Sequence, residues 1–92
     1  MDEARRIVKR YIFRFGAFAR QKGYTTEEKI EARKVLDYIL GLFETYPHAP
    51  PLVLLGSFRD QLAPAIEKVS ANPLYSRIAL EIVKDIEQTL IK

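Results

Sequence analysis

Cysteine and tryptophan are absent from this chain of 92 residues, and histidine, methionine and asparagine occur once each. Without cysteine there is no disulfide, no thiolate metal site and no cysteine nucleophile, and an intracellular, cytoplasmic setting is the expectation. No apolar run approaches the ~20 residues that cross a bilayer, so no membrane partner is expected. The strongest such run, at positions 50–56, is far shorter. The opening Met1-Asp2-Glu3-Ala4-Arg5-Arg6 has no uninterrupted apolar region and does not read as a signal peptide. Four scattered glycines form no phosphate-cradling loop, and no GK[ST] sequence occurs.

The chemistry of catalysis is equally thin. His48, the single histidine, stands in a proline-flanked stretch with no acid or nucleophile beside it, and reads as a loop residue. Gly56-Ser57-Phe58 lacks the strand-turn-helix context of a nucleophile elbow, so Ser57 reads as a surface or kink residue. Glu27 with Glu31 and Glu81 with Asp85 are pairs four apart, a spacing that ordinarily places both carboxylates in solvent. A di-metal bundle would need inward Glu-x-x-His motifs, and none is present. Neither a metal nor a cofactor is expected, and the chain does not read as an enzyme.

What is present is helical periodicity. With 48% hydrophobic and 29% charged residues the chain is of globular composition, and its length suits one domain, positions 1–92. Nine isoleucines, three glutamines and abundant charge give it a composition resembling that of a thermophile protein. Four segments of similar length carry apolar stripes. The first, 2–22, buries Ala4, Ile7, Val8, Tyr11, Ile12, Phe15, Phe18 and Ala19, and Gly23 suits its C-terminal cap. The second opens on a capping box, Thr25 with Glu28, and stops at Tyr46-Pro47. Its stripe is Ala32, Val35, Leu36, Ile39, Leu40, Leu42, Phe43 and Tyr46, with Ile30 off the stripe and expected to pack on Tyr24. The third starts with Pro51 at its first position and keeps phase from Leu54 through Leu55, Phe58, Leu62, Ala65 and Ile66 to Val69. Pro64 interrupts it, which predicts one helix kinked there; the alternative is two shorter helices with Ser57 capping the second. Asn72-Pro73 starts the fourth, whose stripe runs from Leu74 and Tyr75 through Ile78, Ala79, Ile82, Val83 and Ile86 to Leu90. No segment alternates with period two. The expected fold is all-α, an antiparallel up-down four-helix bundle with its third helix kinked at Pro64.

Charge is unevenly placed. Residues 1–22 hold seven Lys/Arg against two acids, and residues 23–92 hold eight against ten. On a helical wheel Phe13 falls roughly 170° from the centre of the first stripe, with Arg6, Lys9, Gly16, Ala17 and Arg20 around it, Arg10 close by and Arg14 on the flank. An aromatic ring rimmed by arginine has the composition of an interface hot spot. The expectation is a non-catalytic accessory subunit that docks through this face on an acidic surface of a larger protein, one suited to a DNA- or RNA-processing, replication-type machine. The alternative is direct, sequence-independent nucleic-acid binding, cations on phosphates and Phe13 stacked on a base. Leu80 and Ile91 lie off the fourth stripe; they are expected to widen the core, and a homodimer through them or through Phe13 is compatible with the sequence.

Overall fold

A computed structural model describes residues 3–91. Among the described residues the secondary structure is all helical, joined by short turns, with no strand. Its elements are α1 (Glu3–Phe13), α2 (Phe15–Lys22), α3 (Thr26–Thr45), α4 (Pro51–Ser57), a π-helical turn over Phe58–Leu62, α5 (Ala63–Ser70) and α6 (Pro73–Ile91). Among the described residues no helix is long and apolar enough to cross a membrane.

The local signals explain most of the boundaries. Thr25 Oγ1 accepts from the Glu28 backbone N–H at 3.2 Å while the Glu28 carboxylate accepts from Thr25 N–H at 2.7 Å, a complete capping box. Asn72 Oδ1 accepts from Leu74 N–H at 3.0 Å, and Pro73 occupies the first position of α6. Gly23 closes α2 at φ 70°, a left-handed conformation that favours glycine, while Gly23 and Tyr24 donate back to Arg20 and Ala19 at 3.1 Å.

Two features break the expected count of four helices. The first is at Arg14, where the backbone leaves the helical region (φ −99°, ψ 10°) and divides the first segment into α1 and α2. Arg14 N–H is shared between Arg10 and Tyr11 carbonyls at 3.0 and 3.1 Å, and Ala17 N–H tightens onto Arg14 at 3.1 Å. The run Tyr11-Ile12-Phe13-Arg14-Phe15-Gly16 combines β-branched, aromatic and glycine residues, each of weak helix propensity. The second feature lies just before Pro64, where a kink is expected. Proline lacks an N–H, and its ring presses on the carbonyl four residues back. The chain answers one turn earlier: Ala63 N–H bonds the Phe58 carbonyl, five residues back, and the wide π turn takes up the misfit. Because that turn consumes an extra residue, the apolar stripe does not keep phase. Ala63 is buried, whereas Ala65 and Val69, both placed on the stripe by periodicity, are exposed, Val69 at 89%.

The core lies around α6. Tyr75, Ile78, Ala79, Ile82, Val83 and Ile86 are all buried, and α6 packs on α1, α3, α4, α5 and the π turn. α3 contributes Ala32, Val35, Leu36, Ile39 and Phe43. At 20 and 19 residues these two helices are each about 30 Å long, which accounts for the 35 Å long dimension of the molecule. Tyr46, expected on the α3 stripe, is exposed because the helix has already ended at Thr45. Glu31 is 6% exposed rather than solvated: α3 turns it inward, where the Lys34 ammonium donates to it at 3.1 Å. Burial, with the hydroxyl of Tyr38 and the charge of Glu31 adding, pushes the nearby Tyr75 phenol up to about 12. Leu80 and Ile91 do not widen the core; both are exposed, at 54% and 73%.

One cation of the first segment is structural. The Arg5 guanidinium donates from Nη1 to the Phe43 carbonyl at 2.8 Å, and from Nη2 to the carbonyls of Tyr46 and Ala49 at 2.9 and 2.8 Å. It also lies over the Phe43 ring at 5.2 Å. These carbonyls are the orphans at the end of α3 and in the following turn, where a positive charge also meets the negative end of the helix dipole. Arg5→Met is expected to lower unfolding stability by about 2–3 kcal/mol, since charged hydrogen bonds contribute about 1.5–3 kcal/mol each and water replaces part of the loss. Arg5→Lys should recover less than half, because one ammonium does not span three carbonyls; urea denaturation checks both. Ala71 adopts φ 57° without being glycine, so Ala71→Gly should raise stability by about 0.5–1 kcal/mol in the same assay.

Candidate functional site

The eight residues singled out on the first segment, Arg6, Lys9, Arg10, Phe13, Arg14, Gly16, Ala17 and Arg20, are all exposed. Phe13 is the extreme among aromatics, with 85% of its surface in solvent. It is the last residue of α1, so the break at Arg14 carries the ring at a corner between two helices. Gly16, at the second position of α2, would meet nothing within 4 Å if it carried a Cβ. Packing within the chain therefore does not require glycine there.

The structure does not hold the eight residues on one surface. Phe13, Gly16 and Arg20 border a concavity of about 630 Å³ between α1–α2 and α3. Its floor is Ile12, Phe15, Leu36 and Leu40, and its far rim is Lys29, Arg33 and Asp37 of α3. Arg6 and Lys9 border a second concavity of about 360 Å³, with Val8, Leu40, Phe43, Glu44 and Pro47. Leu40 belongs to both. Arg10, Arg14 and Ala17 line neither. Sequence reasoning missed Lys29, Arg33 and Leu40, because nothing in the α3 stripe shows which neighbour its flank will face. Arg33 pairs with Asp37 at 3.5 Å across one helical turn, both side chains largely exposed, so little of its charge is neutralised.

A third concavity, about 530 Å³, runs between the start of α3 and α6. Four of its side chains, Tyr24, Glu28, Arg77 and Glu81, are engaged with one another. The Tyr24 hydroxyl donates to Glu81 Oε1 at 2.6 Å, Arg77 donates to Glu28, and Arg77 Nη1 lies 3.6 Å from Glu81 Oε2. Burial pushes the Tyr24 phenol up, and the hydrogen bond to Glu81 adds to it. Burial likewise raises Tyr11, whose hydroxyl has no hydrogen-bond partner among the described residues and feels the charge of Asp85. Glu81 and Asp85 are thus half-buried and face tyrosines rather than standing free in solvent. His48 and Ser57 are exposed, away from these groups. Among the described residues, no group of three or more His, Cys, Asp or Glu comes together to hold a metal ion.

Comparison with protein-family models, with curated proteins and with solved structures gives no match to this chain.

The Arg77 guanidinium on Glu28, with the Thr25 N–H beside it, holds the Glu28 carboxyl below its ordinary 4.5. Arg59 does the same to Asp60, whose ordinary value is 3.8. A carboxyl depressed by folding adds stability that is present above its unfolded pKa and lost as pH falls through the folded one. Stability should therefore fall below about pH 4.5, and Glu28→Gln should flatten that fall, as read by chemical denaturation from pH 6 to pH 3.

Proposed function

We propose that this protein is a non-catalytic accessory subunit that docks on an acidic surface of a larger protein through the basic face of α1 and α2. The observation that carries the reading is Phe13, a large ring left in solvent at a helix corner with cations around it. Burying such a ring at an interface contributes about 1.5–3 kcal/mol, enough to anchor a complex. The surrounding arginines and lysines supply attraction and register, not most of the affinity. Gly16 supports the same reading, since an open, unneeded glycine lets a partner backbone come close. The cationic character favours a component of a DNA- or RNA-processing assembly. Behind the face, the segments are read as four antiparallel arms, α1–α2, α3, α4–α5 and α6, joined by short loops.

A second reading, direct nucleic-acid binding, gains from Lys29 and Arg33, which extend the cationic surface from α1–α2 onto α3. The two separate on salt. Phosphate binding weakens steeply between about 50 and 200 mM salt, whereas an aromatic anchor is salt-tolerant. In affinity capture from native lysate at about 150 mM salt, Phe13→Ala should abolish recovery of the partner and Arg10→Glu with Arg14→Glu should slow it. Recovery unchanged by Phe13→Ala would refute docking through this face. Retention of single-stranded or duplex nucleic acid that survives Phe13→Ala but disappears with salt would favour the second reading.

A further inference from the structure

We propose that the seam between α1–α2 and α3 is a groove for an amphipathic α-helix of the partner protein, apolar along its buried side and acidic along both flanks. This inference rests on the docking reading above and names the chemistry of what docks.

The two concavities beside α1–α2 share Leu40 and lie in succession along α3, and together they are taken as one trough. From Lys29 to Phe43 the trough follows α3 for about 21 Å at 1.5 Å per residue, the length of roughly four helical turns. Its floor is apolar and half-open: Ile12 and Phe15 from one side, Leu40 from the other. Of the apolar α3 side chains along it, Leu40 is half-open, while Leu36 and Phe43 are already buried in the core beneath. Phe13 stands at the lip, in position to close over an occupant.

Charge selects the occupant. The two rims carry Arg6, Lys9, Arg20, Lys29 and Arg33, opposed by the carboxylates of Asp37 and Glu44 alone among the lining residues. A helix entering such a trough is favoured when Asp or Glu flanks its apolar stripe, and one flanked by Lys or Arg is repelled. Nucleic acid satisfies the rims and stacks on exposed rings such as Phe13, but offers nothing to Ile12 and Leu40, whereas an acidic amphipathic helix satisfies rims and apolar floor together.

The test uses a synthetic helical peptide of about four turns, leucine at helical spacing and glutamate on both flanks. A scrambled peptide of identical composition and a single-stranded oligonucleotide serve as comparisons. Fluorescence anisotropy at about 150 mM salt should show the amphipathic peptide binding at least about tenfold tighter than the scrambled one. Amide NMR shifts should map to Phe13, Gly16, Arg33 and Leu40, and Phe13→Ala and Leu40→Ser should each weaken binding about tenfold. Should Leu40→Ser lose its helical circular dichroism, Arg33→Glu replaces it, since that side chain is 80% exposed and its substitution spares the fold. Equal binding of the scrambled peptide, shifts confined to Arg10, Arg14 and Ala17, or displacement by the oligonucleotide at the trough residues would each overturn the proposal. If lysate capture still depends on Phe13 while the peptide fails, the docking face stands and the helical groove falls; if capture is also indifferent to Phe13, both fall.

Discussion

Everything in this fold is organised by the burial of α6. One face of that helix, from Tyr75 to Ile86, is withdrawn from water, and every other element except α2 makes a substantial backbone approach to it. Each isoleucine or valine enclosed there contributes about 1.5–3 kcal/mol, against about 1 kcal/mol net for an ordinary hydrogen bond. The polar contacts around α6 therefore do not hold the elements together so much as fix their rotation and sliding. Arg59 of the π turn grips Glu87 with Nη1 2.9 Å from both carboxylate oxygens. Near the other end of α6, Arg77 and Glu81 tie down Glu28 and Tyr24. With both ends located, the apolar faces between them meet in one register.

The same division separates structural charges from free ones. Arg5 and Lys9 are four residues apart on α1, yet Arg5 turns to three carbonyls at the end of α3 while Lys9 remains in solvent. Seven cations in the first segment thus overstate what is available for recognition. Conversely, α3 returns Lys29 and Arg33 to the same neighbourhood, so the surface is rebuilt from two elements. A basic stretch in sequence and a basic surface in space are different objects, and here only part of the first enters the second.

Most boundaries were legible because their causes are local: the Thr25–Glu28 box, Asn72-Pro73, Pro51 and Gly23 each need only their own neighbours. The stripes of the first, second and fourth segments were legible for the same reason, apart from Tyr46, which lies just past a helix end. The failures share a physical origin. A helical wheel assumes 3.6 residues per turn throughout, and a π turn at Phe58–Leu62 violates that by one residue, which carries Val69 outward and Ala63 inward. The pause at Arg14 is a sum of weak propensities with no single breaker to announce it. Glu31 was hidden because a carboxylate in an inward position looks, in sequence, like any solvated one. Phe13 was found because its anomaly is angular and local, while Leu40 and Arg33 depend on which helix lies beside α3.

An aromatic cluster lies beside the pause at Arg14 and spans it, since Tyr11 precedes the break and Phe15 and Phe18 follow it. Phe18 of α2 packs on Tyr11 with ring centres 5.6 Å apart, on Phe15 at 5.3 Å and edge-on against Tyr24 at 6.0 Å. Tyr24 is itself held by Glu81 of α6. The rings thus link α2 to Tyr11 of α1 and, through Tyr24, to α6, across the weak helical sequence around Arg14. The opposite flank of α2, with Gly16 and Arg20, is left standing over α3 without closing on it. Phe13, just before the break, takes no part in the ring pairs and stays in solvent.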